Sequence, residues 1–138
     1  MNGYNILDAI RWLEYARQDL DSSEKMLTQG DFVYRHICFL SQQAAEKAIK
    51  AVFIYLQIDF PWRHDLDALR NLLPDDWQVK HEHTDLAQLT EWAVESRYPG
   101  DWNDANLEEA RASYQQAMEI VESIIAEFSR RGVSINLD

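Results

Sequence analysis

Apolar residues recur every three or four positions along most of the chain, the period of an α-helix that buries one stripe. Ile6, Ile10, Leu13, Ala16, Leu20 and Leu27 share such a stripe and predict a first long helix from about Tyr4 to Gln29. Gly30 is placed to end it, because glycine takes the left-handed cap conformation at little cost. Asp31 is then expected to cap a second helix running to about Ile58, with Ile37, Leu40, Ala44, Ala48, Val52, Tyr55 and Leu56 as its stripe. So short a connection predicts an antiparallel hairpin. Ala44, Ala45, Ala48 and Ala51 take bulk out of the middle of the second helix, so a neighbouring helix can approach closely.

Pro61 interrupts the period. A short helix is expected from His64 or Asp65 through Leu66, Leu69 and Leu72, stopped by Pro74, and residues Asp75 to Glu82 read as a loop. A further helix is expected from about Thr84, carrying Leu86, Leu89, Trp92 and Ala93, followed by a turn-rich stretch from Ser96 to Asp104. The last helix has the fullest set of signals. Asn106 stands at the cap with Glu109 three residues on, a capping box. Ala110, Tyr114, Ala117, Val121, Ile124 and Phe128 follow at helical spacing. Arg130 and Arg131 suit the negative end of the helix dipole, and Gly132 ends the element. The fold expected is all-α, an up-down helical bundle of four to five helices. It forms a single domain over residues 1–138, with its core at about 4–131 and a short C-terminal tail.

Charge narrows the choice of partner. The chain holds 24 acidic and 13 basic residues, a net charge of −11, and no basic run. Surfaces that bind nucleic acid or anionic lipid need Lys and Arg against the phosphates, so DNA and membranes are not expected partners. A basic protein partner fits better. Net charge does not fix placement, and a local basic pocket is compatible with it. The single cysteine, Cys38, excludes an intramolecular disulfide and reads as a buried, inert thiol in an apolar helical run. The first residues lack the basic and apolar regions of a secretory leader. No apolar stretch approaches the ~20 residues of a membrane span. A cytoplasmic location is therefore the expectation.

Three short segments carry candidate chemistry. In the run Ser41 to Ala51, Gln43, Glu46, Lys47 and Lys50 share one sector of the second helix. Two readings stand side by side. One is a solvated face with Glu46–Lys50 as an i,i+4 ion pair worth about 0.3–0.5 kcal/mol; the other is a polar cleft between helices. His64, after Arg63, is either a helix cap or a cleft residue. Arg97-Tyr98 precedes Pro99 in a loop, where an Arg could clamp a phosphate or a carboxylate or tie the loop to its neighbours. His81-Glu82-His83 has the residue types of a metal site, but adjacent side chains diverge on a helix, and no metal or other cofactor is expected. No Gly-rich phosphate loop, HExxH, CxxC or nucleophile elbow is present.

The run Gln43-Ala44-Ala45-Glu46-Lys47-Ala48-Ile49-Lys50-Ala51, the helix start His64-Asp65-Leu66, and Arg97-Tyr98-Pro99 before a Glu/Ala-rich last helix resemble the HEPN (higher eukaryote and prokaryote nucleotide-binding) family over nearly the whole chain. That resemblance implies a four- or five-helix bundle, usually a homodimer, and often a minimal nucleotidyltransferase protein as partner in a toxin–antitoxin-like pair. It also implies, for many members, metal-independent ribonuclease activity. In those, an Arg holds the phosphate and a His, separated from it by four to six intervening residues, acts with the ribose 2′-hydroxyl. Here no Arg is followed by a His at that distance, and the positions after Arg97 are Trp102, Asn103 and Asp104. Asn is neither acid nor base, and an ordinary Asp is a poor proton donor at neutral pH. The expectation is thus a non-catalytic binding protein whose nucleotide contacts would come from Gln43, Lys47, Lys50, His64, Arg97 and Tyr98. The alternative is a divergent ribonuclease using His64 and Arg97.

Overall fold

The computed structural model describes residues 3–30, 32–61, 63–93 and 104–135. In chain order the helices are α1 (Gly3–Gln29), α2 (Tyr34–Leu56), α3 (Leu66–Asn71), α4 (Val79–Glu82), α5 (Ala87–Thr90) with a 3-10 turn at Glu91–Ala93, and α6 (Leu107–Arg130). Among the described residues there is no β-strand. The bundle is all-α, as the periodicity predicts.

Cross-helix contacts fix the directions. Asp19 meets Lys47 and Ser23 meets Ser41, so α1 and α2 form the antiparallel hairpin. Tyr114 reaches Glu24, and Phe128 packs against Tyr55 with ring centroids 4.9 Å apart. Helix α6 is therefore antiparallel to α1 and parallel to α2. A parallel pair requires the chain between them to travel back along the bundle, and residues 57–106 make that crossover. Leu13, Ala16 and Leu20 from α1, the four alanines and Val52 from α2, and Ala117, Ile120, Val121 and Ile124 from α6 are all buried in one core. Each fully buried Leu, Ile or Val contributes roughly 1.5–3 kcal/mol, while the alanines let the backbones approach.

The ends of the elements depart from expectation in instructive ways. Helix α2 begins at Tyr34, not directly after Asp31, and its cap position is Val33 in extended conformation with no side-chain cap bond; Asp31 lies outside the described residues. The helix stops at Leu56 because Gln57 turns left-handed (φ 58°), and the Ile58 N–H donates to the Phe53 carbonyl at 2.9 Å. Asp65 caps α3, its Oδ1 accepting from the Ala68 N–H. Leu72 falls outside that helix and is exposed, and Leu73 is buried in its place. The stretch read as a loop from Asp75 to Glu82 contains α4, held by Trp77. That indole is buried against Tyr55 and Phe128, and the Arg131 guanidinium lies 4.4 Å from its ring centroid. These partners are 22 or more residues away, so local periodicity carries no trace of them. Helix α5 starts at Ala87 rather than Thr84. At α6 the capping box forms as predicted, with the Glu109 N–H donating to Asn106 Oδ1 at 2.8 Å and the Asn106 N–H to Glu109 Oε1 at 3.0 Å.

The alanine seam yields a test. Ala48 is fully buried, so Ala48→Leu forces bulk between packed helices and is expected to destabilise the fold by about 1–3 kcal/mol. Urea unfolding followed by circular dichroism would measure it. An unchanged midpoint would show that the seam has room to spare.

Candidate site around the buried Glu46 carboxylate

Gln42, Glu46 and Lys50 stand at i, i+4 and i+8 on α2 and so form one stripe of the helix. All three are buried, at 0%, 5% and 3% exposure respectively. Glu46 and Lys50 do make the predicted i,i+4 ion pair, at 2.8 Å, but inside the protein and not on a solvated face. A buried charge is costly unless paired and hydrogen-bonded, and the arrangement meets that demand. Glu46 Oε2 accepts from Lys50 Nζ at 2.8 Å; Oε1 accepts from Gln42 Nε2 at 2.9 Å and lies 2.8 Å from His64 Nδ1. Burial on its own would push the Glu46 carboxyl up. The bonds from Lys50, Gln42 and His64 outweigh it and hold the group below its ordinary value.

That charge state fixes the chemistry of His64. A carboxylate oxygen only accepts, so Nδ1 must carry the proton, and the neutral ring then has its lone pair on Nε2. The His64 side chain is 62% exposed, so the imidazole is anchored at one nitrogen and open to solvent. The segment is held in place next door, where Asp65 caps α3 and the Leu66 N–H donates to Thr90 Oγ1 at 3.0 Å. On the other side of the carboxylate, Gln43 Nε2 donates to Gln42 Oε1 at 2.7 Å, which sets the Gln42 amide with its NH2 toward Glu46. An oriented imidazole backed by a buried carboxylate can accept and return protons.

The sequence-predicted site residues thus divide. Lys50 and His64 meet through Glu46, and Gln43 joins them through Gln42. Lys50 faces the carboxylate and not solvent. Lys47 is turned to α1, with Nζ 2.5 Å from Asp19 Oδ2. Arg97 and Tyr98 lie outside the described residues. The periodic reading did not single out Gln42, and it treated Glu46 as half of a surface pair. The available signal was the i, i+4, i+8 spacing of three polar residues beside an alanine face. Elsewhere, the three-residue histidine segment works structurally. His81 Nε2 lies 2.8 Å from the Asp75 carbonyl, and the His83 carbonyl accepts from Arg70 at 3.0 Å. Among the described residues, no three His, Cys, Asp or Glu side chains converge as a metal would require. Burial pushes the Cys38 thiol up to about 11, which leaves it unreactive. No helix among the described residues is long and apolar enough to cross a membrane.

Comparison with known proteins is decisive at the level of family. The HEPN domain family model matches residues 9–130, which takes in all four residues of the site. The chain belongs to the HEPN family. Two solved structures share the fold of this HEPN chain. The crystal structure of TT1696 from Thermus thermophilus is 28% identical, with a TM-score of 0.69 over 84% of this chain and 94% of that one. The crystal structure of ST0689, described as an archaeal HEPN homologue, is 25% identical, with a TM-score of 0.64 over 86% of this chain and 96% of that one. No curated protein matches the chain.

Two measurements probe the carboxylate. Removing one partner of a buried pair strands the other, so Lys50→Met is expected to cost about 3–5 kcal/mol. The double variant Glu46→Leu/Lys50→Met should cost less than the sum of its singles in urea titrations; strict additivity would mean the two charges are not coupled. Because the Glu46 value is lowered in the folded state, its stabilisation is full above the ordinary value of 4.5 and is lost as pH falls through the folded value. The stability gap between the native chain and Glu46→Gln should therefore narrow on acidification. A gap constant from pH 7 to pH 3 would contradict a charged Glu46.

Proposed function

We propose that this HEPN protein cleaves RNA by transesterification, with His64 moving the proton. The observation that carries the reading is the Glu46–His64 contact at 2.8 Å, which turns Nδ1 to the carboxylate and leaves Nε2 on the exposed side of the ring. In the reaction the ribose 2′-oxygen bonds to the adjacent phosphorus and the bond from phosphorus to the 5′-oxygen breaks. Nε2 takes the 2′-hydroxyl proton, Glu46 stabilises the imidazolium so formed, and the ring returns a proton to the departing 5′-oxygen. Side chains alone can carry these steps, in keeping with the metal-independent chemistry the family resemblance implies. His64 stands in for the histidine missing after Arg97, and Arg97 is the proposed phosphate holder with Tyr98 beside it. Incubating the purified chain with transfer or messenger RNA in the presence of a chelator should give fragments ending in 2′,3′-cyclic phosphate. His64→Ala should slow cleavage by about a hundredfold or more. Equal cleavage by the variant, or none by the native chain, would sink the reading.

The net charge of −11 favours a second reading. In it a homodimer binds a minimal nucleotidyltransferase protein without catalysis, in a toxin–antitoxin-like pair, and holds a nucleotide through Gln43, Lys47, Lys50, His64, Arg97 and Tyr98. A nucleotidyltransferase that co-purifies with the chain, together with no cleavage of any RNA, would select this reading over the first.

A further inference from the structure

The two oxygens of the buried Glu46 carboxylate are divided between different partners. Oε1 meets Gln42 and His64, and Oε2 accepts from Lys50 Nζ at 2.8 Å. Satisfying Oε2 requires only a donor, and an amide or a hydroxyl would supply one at a smaller desolvation cost than an ammonium. An ammonium stands there instead, on a residue only 3% exposed. What the lysine adds to the hydrogen bond is charge. The segment after α2 touches that charge as well. The Phe60 ring is stacked on Phe53 with centroids 5.4 Å apart, and Lys50 Nζ lies 5.8 Å from the Phe60 centroid, where an aromatic face attracts a cation. Phe60 thus meets the cation, and His64 the anion, of one buried pair.

We propose that Lys50 is a positioning residue for His64: from the far oxygen of Glu46 it offsets the carboxylate's charge, so that the imidazole gives up its second proton near neutral pH. A bare carboxylate beside an imidazole favours the imidazolium, in which Nε2 carries a proton and accepts none. A cation behind the same carboxylate opposes that preference, while the hydrogen bond that orients the ring stays in place. Among the described residues, Glu46 and, behind it, Lys50 come to the imidazole from α2. Arg63 and Asp65 flank it in the chain, with Asp65 turned to the Ala68 N–H as the cap of α3. From α5 the group that meets this segment is the neutral Thr90 hydroxyl, on the Leu66 N–H. The role rests on the ribonuclease reading for what the imidazole does, though not for the charge coupling itself. A base that works near neutral pH must be unprotonated there, and Lys50 serves that need without touching a substrate.

Nuclear magnetic resonance of the full chain across neutral pH tests it without any cleavage, by following the ring protons of His64, assigned by their loss in His64→Gln. Lys50→Met removes the charge, and Lys50→Gln removes it while keeping a donor for Oε2. In either variant His64 should titrate roughly one pH unit or more above its position in the native chain. Lys50→Arg, which keeps the charge, should titrate with the native chain. Cleavage of RNA should follow the same order. The acid limb of the rate profile should move with the imidazole, so the two neutral variants are slower by about tenfold on that limb. A lysine that only steadies the fold would change the amount of folded protein and leave the titration where it is. An unmoved His64 titration in a folded neutral variant would overturn the proposal even if RNA is cut. Failure of both neutral variants to fold would overturn it too, since Lys50 would then serve the core alone. A moved titration with no cleavage by the native chain would uphold the charge coupling and sink the ribonuclease reading instead.

Discussion

A carboxylate in the interior of a helical bundle must be surrounded by donors, or it takes up a proton and the reason for its position disappears. Glu46 is such a group, and satisfying it settles much of what lies around it. Lys50 is drawn inward to Oε2, Gln42 turns its amide to Oε1, and His64 completes the set from another part of the chain. Two of these donors come from the same helix at four-residue spacing and cost little to position. The third does not, so the carboxylate acts as an anchor that ties the crossover segment to α2. Orientation of the imidazole then follows from charge state alone, since a deprotonated Glu46 admits only one arrangement of the ring proton.

Chain topology explains why His64 is the residue that arrives there. Helices α2 and α6 are parallel, so the chain must return along the bundle between them, and the return begins at the left-handed Gln57. The first residues of that crossover pass back over the C-terminal half of α2, where Lys50 and Phe53 lie. One side of α2 is given to alanines that pack against α1 and α6, and the adjacent stripe is polar. The same helix therefore supplies the closest packing of the core and the most charged part of the interior. This juxtaposition places the Glu46 network on the polar stripe of α2, where His64 covers it.

The fold was legible to the extent that it is local. The three stripes, the capping box at Asn106 and the breaks at Gly30 and Gly132 depend on neighbours within a turn or two, and each appears as a helix or helix end, while α2 ends at Gln57, ahead of Pro61. What sequence reading missed depends on contacts across the chain. Helix α4 exists because Trp77 finds Tyr55, Phe128 and Arg131. The site was half legible for the same reason. The pairing of Glu46 with Lys50 follows from spacing, but its burial does not, because the polar stripe of a helix looks alike whether water or another segment covers it. His64 and Glu46, 18 residues apart, could be read as separate candidates; their meeting is a fact of tertiary structure.

An acidic protein that handles RNA must solve a specific physical problem. Phosphate neutralisation supplies most non-specific affinity in nucleic-acid binders, and each contact adds to the salt dependence. With a net charge of −11 that source is weak over most of this surface, so long RNA is not held by electrostatics alone. On the ribonuclease reading proposed above, affinity would have to come from a few short-range contacts where local charge is balanced, and the neutral Glu46–Lys50 pair behind His64 offers such a place. Repulsion elsewhere would then work in favour of selectivity, because RNA that does not reach His64 would have little else to hold it.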